Sequence, residues 1–149
     1  MGTNRRNVWR RSFLASELVR EAVRGYQGNE NPLKKVAVSV KHLVGGGASV
    51  GGCNHASAEL SERALRSYFL PPFKAAIEAG CMTIMPGHND IAGIPVHASE
   101  WLLTDLIKKE YGFNGFFISD MGDVENLASS LHLIAENQKE AICKSVNAG

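Results

Sequence analysis

The chain has 149 residues, with 16 Lys and Arg against 15 Asp and Glu, a formal charge of +1, 44% apolar residues and 21% charged residues. That is the composition of a folded globular domain, without a run of roughly 18 apolar residues that could span a bilayer. The balanced charge argues against a dedicated nucleic-acid binder, despite the small cluster Arg5, Arg6, Arg10 and Arg11.

The length suits one domain and falls short of a complete (β/α)8 barrel, which takes about 250 residues. No apolar core follows Met1, so no secretory leader is expected as written, and the compartment stays open. Cys53, Cys81 and Cys143 are far apart and odd in number, without a C-x-x-C pair; three reduced thiols are expected.

In chain order, Leu14, Leu18, Val19, Ala22, Val23 and Tyr26 recur at helical spacing, which predicts a helix over 14–27 stopped by Gly28. Val36, Val38 and Val40 alternate with Ala37, Ser39 and Lys41 and predict a short strand ending near His42. Gly45 to Gly52 read as a glycine-rich loop. Ser61 is placed to cap a helix running through Leu65 and Phe69 to Ala79, kinked or broken at Pro71 and Pro72 and stopped by Gly80.

Cys81 to Met85 form an apolar strand closed by Pro86, and residues 87–98 read as a loop. Ser99 is placed to cap a helix carrying Leu102, Leu103, Leu106 and Ile107, ended by Gly112. A third short strand follows over residues 115–119, then helical stretches near 124–129 and 136–146. Short apolar strands alternating with amphipathic helices imply an α/β fold of parallel βα units.

In such folds reactive groups gather at the carboxyl ends of the strands. The three strands end in Lys41–His42, in Met85–Pro86–Gly87–His88 and in Ser119–Asp120. A cation, an imidazole and a carboxylate are thus expected on one rim. Asp120, beside Lys41 and His42, would stay ionised and suit a nucleophile or an electrostatic stabiliser; an Asp there equally suits capping the next helix. Lys41 and His42 equally suit a solvated strand end. The glycine run fits neither G-x-G-x-x-G nor a P-loop, so no phosphate cradle is expected. A zinc site from His42, His55, His88, His97 and Asp90 is conceivable, but no H-E-x-x-H or comparable spacing occurs, so neither metal nor cofactor is expected.

The run Val38-Ser39-Val40-Lys41-His42-Leu43-Val44-Gly45, followed by Gly51-Gly52-Cys53-Asn54, resembles the Lys-His strand and loop of glycoside hydrolase family 3. Residues 61–76 resemble the helix that follows in that family. Met85-Pro86 with Asn89-Asp90-Ile91-Ala92-Gly93-Ile94-Pro95 resembles its next strand end and its Asn-Glu-x-x-Gly-x-Pro loop. Trp101 to Asp105 and Gly112 to Phe116 resemble the approach to the nucleophile strand, and Ser119-Asp120 matches the Ser-Asp pair that carries the nucleophile. The similarity runs from about Ser16 to Gly149.

The resemblance implies that residues 1–149 are part of the family's N-terminal barrel domain, about strands 4–6 of a (β/α)8 barrel, without a second domain. The activity it implies is that of a retaining β-glucosidase-like or β-xylosidase-like enzyme acting on a β-glycoside, with Asp120 as nucleophile. Lys41, His42 and Met85 would line the sugar site. Arg6, through Arg6-Asn7 and Trp9, would match the family's Arg-Asn-x-Trp strand end, although the Gly-Glu-Asp-Pro that should follow is missing. The acid/base carboxyl is expected outside this sequence, and the open sheet edges are expected to favour self-association. The competing expectation is an inactive remnant that at most binds sugar or a partner. Three positions depart from the family: Cys53 replaces an Arg, His88 an aromatic residue, and Met121 the Trp or Tyr that usually lines the sugar pocket.

Overall fold

A computed structural model describes residues 11–28 and 36–149. Arg6 lies outside the described residues, as do its neighbours in the Arg-Asn-x-Trp match. Helix α1 spans Ser12–Gln27 and closes on Gly28, whose φ of 60° suits glycine and whose N–H donates to the Arg24 carbonyl. Its buried stripe is rotated from the expected one. Ser16 and Val23 are buried, with Val19 packed beside them, whereas Leu14, Leu18 and Tyr26 are exposed. The stripe 16, 19, 23 follows the 3.6 period as well as the expected set does, so periodicity alone does not choose between them.

Strand β1 is Ser39–Leu43, which starts later and ends later than the valine alternation predicts. The Gln27 side chain accounts for part of this, because its carboxamide oxygen accepts from Val38 N (3.3 Å) and Met82 N (3.1 Å). Val36, left outside the strand, is exposed. Helix α2, Glu62–Ala64, begins at Ser61, whose hydroxyl accepts from Ala64 N at 3.2 Å as a cap should. The chain then widens into a π-type turn over Leu65–Phe69, closed by Leu70 N to Leu65 O at 2.8 Å. Helix α3, Pro71–Glu78, restarts with its prolines in the first turn, where no N–H is needed. The expected break at Pro71 is therefore real.

Strand β2 is Thr83–Pro86. The segment read as a loop holds a hairpin: β3, Asp90–Ile91, pairs antiparallel with β4, Ile94–Pro95. Its turn residues Ala92 and Gly93 both have positive φ, 49° and 86°, the pattern of the primed two-residue turns that match strand twist. A wide π-type helix, Trp101–Glu110, buries Leu102, Leu103, Leu106 and Ile107. Strand β5 is reduced to Phe116–Phe117. Helices α4, Asp123–Asn126, and α5, Gln138–Ala148, complete the chain, α5 capped by Asn137 Oδ1 accepting from Glu140 N at 3.0 Å.

The three-stranded sheet has the order β1-β2-β5, all parallel, with Lys41 opposite Met85 and Ile84 opposite Phe117. Helix α3 joins β1 to β2, and the wide helix joins β2 to β5, the connectivity of βα units. The core lies between sheet and helices, around Leu43, Leu65, Phe73, Ile84, Leu106 and Ile107. Gly115 passes so close to β2 that a Cβ there would overlap the Met82 carbonyl and the Phe113 ring. Among the described residues, no helix is long and apolar enough to cross a membrane.

Candidate functional site

The parallel strands deliver their C-terminal residues to one edge. His42 comes from β1, His88 follows β2 by two residues, and Asp120 follows β5 by three. All three side chains meet at one oxygen: Oδ2 of Asp120 lies 3.1 Å from His42 Nε2 and 3.2 Å from His88 Nε2. The other oxygen, Oδ1, accepts the Met121 backbone N–H at 2.7 Å. Asp120 does not cap α4. That helix starts at Gly122, in the left-handed region and without a side-chain cap. The carboxylate is left for the cleft.

The Asp120 carboxyl is held below the ordinary Asp range, first by the Met121 N–H and then by the nearby His88, His42 and Lys41. His42 is pushed down from the ordinary imidazole value, mainly by burial and then by Lys41, against the pull of Asp120. Lys41 is exposed, and its charge acts on both neighbours. Met85 sits half-buried beside it in the sheet register.

Behind this trio stands a second layer that the linear sequence hides. His88 Nδ1 lies 2.9 Å from the carboxylate of Asp123, which is only 3% exposed. His97 Nε2 lies 3.7 Å from Asp123 Oδ2. The His55 ring tilts against that of His88 with centroids 4.9 Å apart, and the His42 ring is 5.6 Å away on the other side. The hairpin register explains why His88 and His97 both reach Asp123. Asp90 pairs with Pro95, the Val96 N–H reaches Asn89 O at 3.2 Å, and the next step outward is His88 with His97. Asn89, buried at the hairpin mouth, ties it to β1 by donating from Nδ2 to Val44 O at 3.1 Å. Gly45, at φ 88°, lets the chain turn under Ile91, whose Cδ1 a Cβ would meet at 2.9 Å.

The profile of the glycosyl hydrolase family 3 N terminal domain matches residues 4–149. The chain belongs to glycosyl hydrolase family 3. It is 41% identical over 144 residues to a β-xylosidase of Formosa agariphila, covering 92% of this chain and 19% of that protein. It is 31% identical over 140 residues to a periplasmic β-glucosidase of Salmonella typhimurium, covering 93% of this chain and 18% of that one. A Listeria innocua β-glucosidase solved in complex with isofagomine superposes with a TM-score of 0.87 at 38% identity, over 93% of this chain and 20% of its own. The family 3 chain thus spans about a fifth of the length of the curated relatives it matches. The superposition also identifies the fold as parallel βα units of the family 3 barrel.

Proposed function

We propose that this chain carries the nucleophile of a retaining β-glycosidase, with Asp120 in that role. The observation that carries the reading is the Asp120 carboxylate at the end of β5, with Oδ2 between two imidazoles and Oδ1 fixed by the Met121 N–H. A carboxylate attacking an anomeric carbon must be ionised, oriented and open on one side. Its neighbours favour its charge, and its side chain is partly exposed.

In the first step a bond forms between a carboxylate oxygen of Asp120 and the anomeric carbon, and the glycosidic C–O bond breaks. The leaving oxygen takes a proton from an acid, and water later releases the sugar. Lys41 and His42 bind hydroxyls of the sugar, and Met85 lines its floor. Asp123 is not the acid, because its carboxylate is buried against His88 and His97. In this proposal the acid/base carboxyl belongs to a part of the protein outside this segment. The relatives point to β-glucosides or β-xylosides as the substrate class.

A 2-deoxy-2-fluoro-β-glucoside or xyloside with an activated leaving group tests the assignment. Intact-mass spectrometry is expected to show one covalent sugar per chain, mapped to the peptide that holds Asp120, and none on the Asp120→Asn chain. Label on another carboxylate, or equal label on Asp120→Asn, overturns it.

A further inference from the structure

The His88 ring faces a carboxylate at each nitrogen. Nδ1 lies 2.9 Å from both oxygens of Asp123, and Nε2 lies 3.2 Å from Oδ2 of Asp120. A neutral imidazole carries one N–H and satisfies one of these acids; the doubly protonated ring donates to both. The two acids differ in their surroundings. The Asp123 side chain is 3% exposed, whereas that of Asp120 is 24% exposed and also accepts the Met121 N–H. A buried carboxylate is costly unless a cation or hydrogen bonds answer it. His97 does not donate to Asp123, since its Nε2 stands 3.7 Å from Oδ2 and has no hydrogen-bond partner among the described residues. The answer to the Asp123 charge is therefore His88.

The other groups around the ring leave the positive charge to it. His42 faces it from β1, the exposed His55 from the loop before α2, and His97 from the segment after β4. Burial pushes both His42 and His97 below the ordinary imidazole value. These two rings are neutral at neutral pH. The charge opposite the carboxylates of Asp120 and Asp123 then falls to His88, together with the exposed Lys41.

We propose that His88 is an imidazolium clamped between Asp123 and Asp120, a positioning residue that fixes the Asp120 carboxylate while Asp123 anchors the ring. Its effect on the reaction rests on the nucleophile assignment; its charge does not. With the Met121 N–H on Oδ1 and His88 on Oδ2, the plane of the Asp120 carboxylate is set at both oxygens. The ring cannot turn away, because Asp123 holds its other nitrogen. A charge-assisted hydrogen bond also favours the ionised carboxyl, so Asp120 stays ready for attack at lower pH. The same charge eases the second step, in which water attacks the anomeric carbon and the carboxylate departs.

Nitrogen-15 spectra of the histidine-labelled chain test the clamp directly. At about pH 7.5, where an ordinary imidazole is mostly neutral, His88 should carry a proton on each ring nitrogen. Asp123→Asn should leave one of them bare. The rate of covalent labelling by the 2-fluoro glycoside, followed against pH, tests the positioning. His88→Gln should slow labelling by at least about tenfold, the scale of one hydrogen bond to a charged group. It should also move the acid limb to higher pH, because Asp120 loses a neighbour that favours its charge. Asp123→Asn, a nearly isosteric change, should move the limb the same way. His55→Gln, which removes an exposed stacked ring, should change neither reading. A neutral His88 at about pH 7.5 overturns the proposal. So does a charged His88 whose replacement leaves rate and acid limb unmoved. Label on a carboxylate other than Asp120 overturns the nucleophile reading instead, and the nitrogen spectra still decide the clamp.

Discussion

His42 Nε2 stands 3.1 Å from Oδ2 of Asp120, although His42 sits on one outer strand of the three-stranded sheet and Asp120 follows the other. His42 lies level with Met85 and Pro86 at the end of β2, and Asp120 lies three residues past β5, so their side chains meet across that end. The pair closes one wall of the cleft and leaves the other face of the carboxylate open.

An activated aryl β-glycoside should be turned over slowly by the isolated 149-residue chain, and cellobiose or xylobiose should be essentially untouched. General acid assistance is worth about 10²–10⁴-fold, and an aryl leaving group does without it. Steady-state assays with both substrate types check this. Rapid disaccharide hydrolysis would mean that the acid lies within these residues.

Lys41→Ala should weaken binding of an isofagomine-like inhibitor by about 1.5–3 kcal/mol, the range for a hydrogen bond to a charged group. Calorimetry reads it directly. Unchanged affinity with an unchanged circular dichroism spectrum removes Lys41 from the sugar site.

Cys81 should be the slow thiol. Burial pushes it up to about 11, so at pH 8 it is almost wholly protonated and shielded, while Cys53 and Cys143 are exposed. Alkylation followed by mass spectrometry should modify two thiols quickly and the third only after unfolding.

Arg66 donates to both oxygens of Glu110, at 2.6 and 2.9 Å, and this holds the Glu110 carboxyl below the ordinary Glu value. A carboxyl depressed in the folded state stabilises above its unfolded value, and the contribution is lost as pH falls through the folded one. Glu110→Gln should therefore lower the melting temperature slightly at pH 7, and the difference should vanish in acid below the Glu range. A difference that persists there would show a packing effect. The pair is exposed, so the effect is small.

Gly115→Ala should destabilise the fold by about 1–3 kcal/mol, the usual cost of forcing extra volume into a packed site. The added methyl meets the Met82 carbonyl, which is backbone and yields little, as well as the Phe113 ring. Urea denaturation measures the change. Gly25→Ala, where a Cβ meets nothing within 4 Å, serves as the control.

The alternation of valines and the apolar run from Cys81 placed the first two strands, because sheet periodicity is local information. The parallel order followed from helices long enough to cross over. The strand ends then named Asp120 and His42, which the fold brings together, and Lys41, whose charge reaches both. The second layer was illegible for a different reason. His88 and His97 are nine positions apart, in a stretch with too few apolar residues to show alternation, and only the hairpin between them makes them neighbours. The available signal was Ala92-Gly93, a turn-compatible pair flanked by Ile91 and Ile94. Asp123 was hidden by its own helix, since an Asp in a first turn has an ordinary electrostatic reason to be there.

The hairpin acts as a ruler. A two-residue turn sets which residues stand opposite each other all the way down to its mouth. Inserting or deleting one residue at Ala92-Gly93 turns every later side chain of the return strand to the opposite face, so His97 would leave His88 and Asn89 would lose Val96. Length is therefore frozen at this tip even though it is exposed and remote from the cleft. Chemical variation at the mouth can proceed by exchange of side chains, and tolerance of insertions must be sought in some other loop.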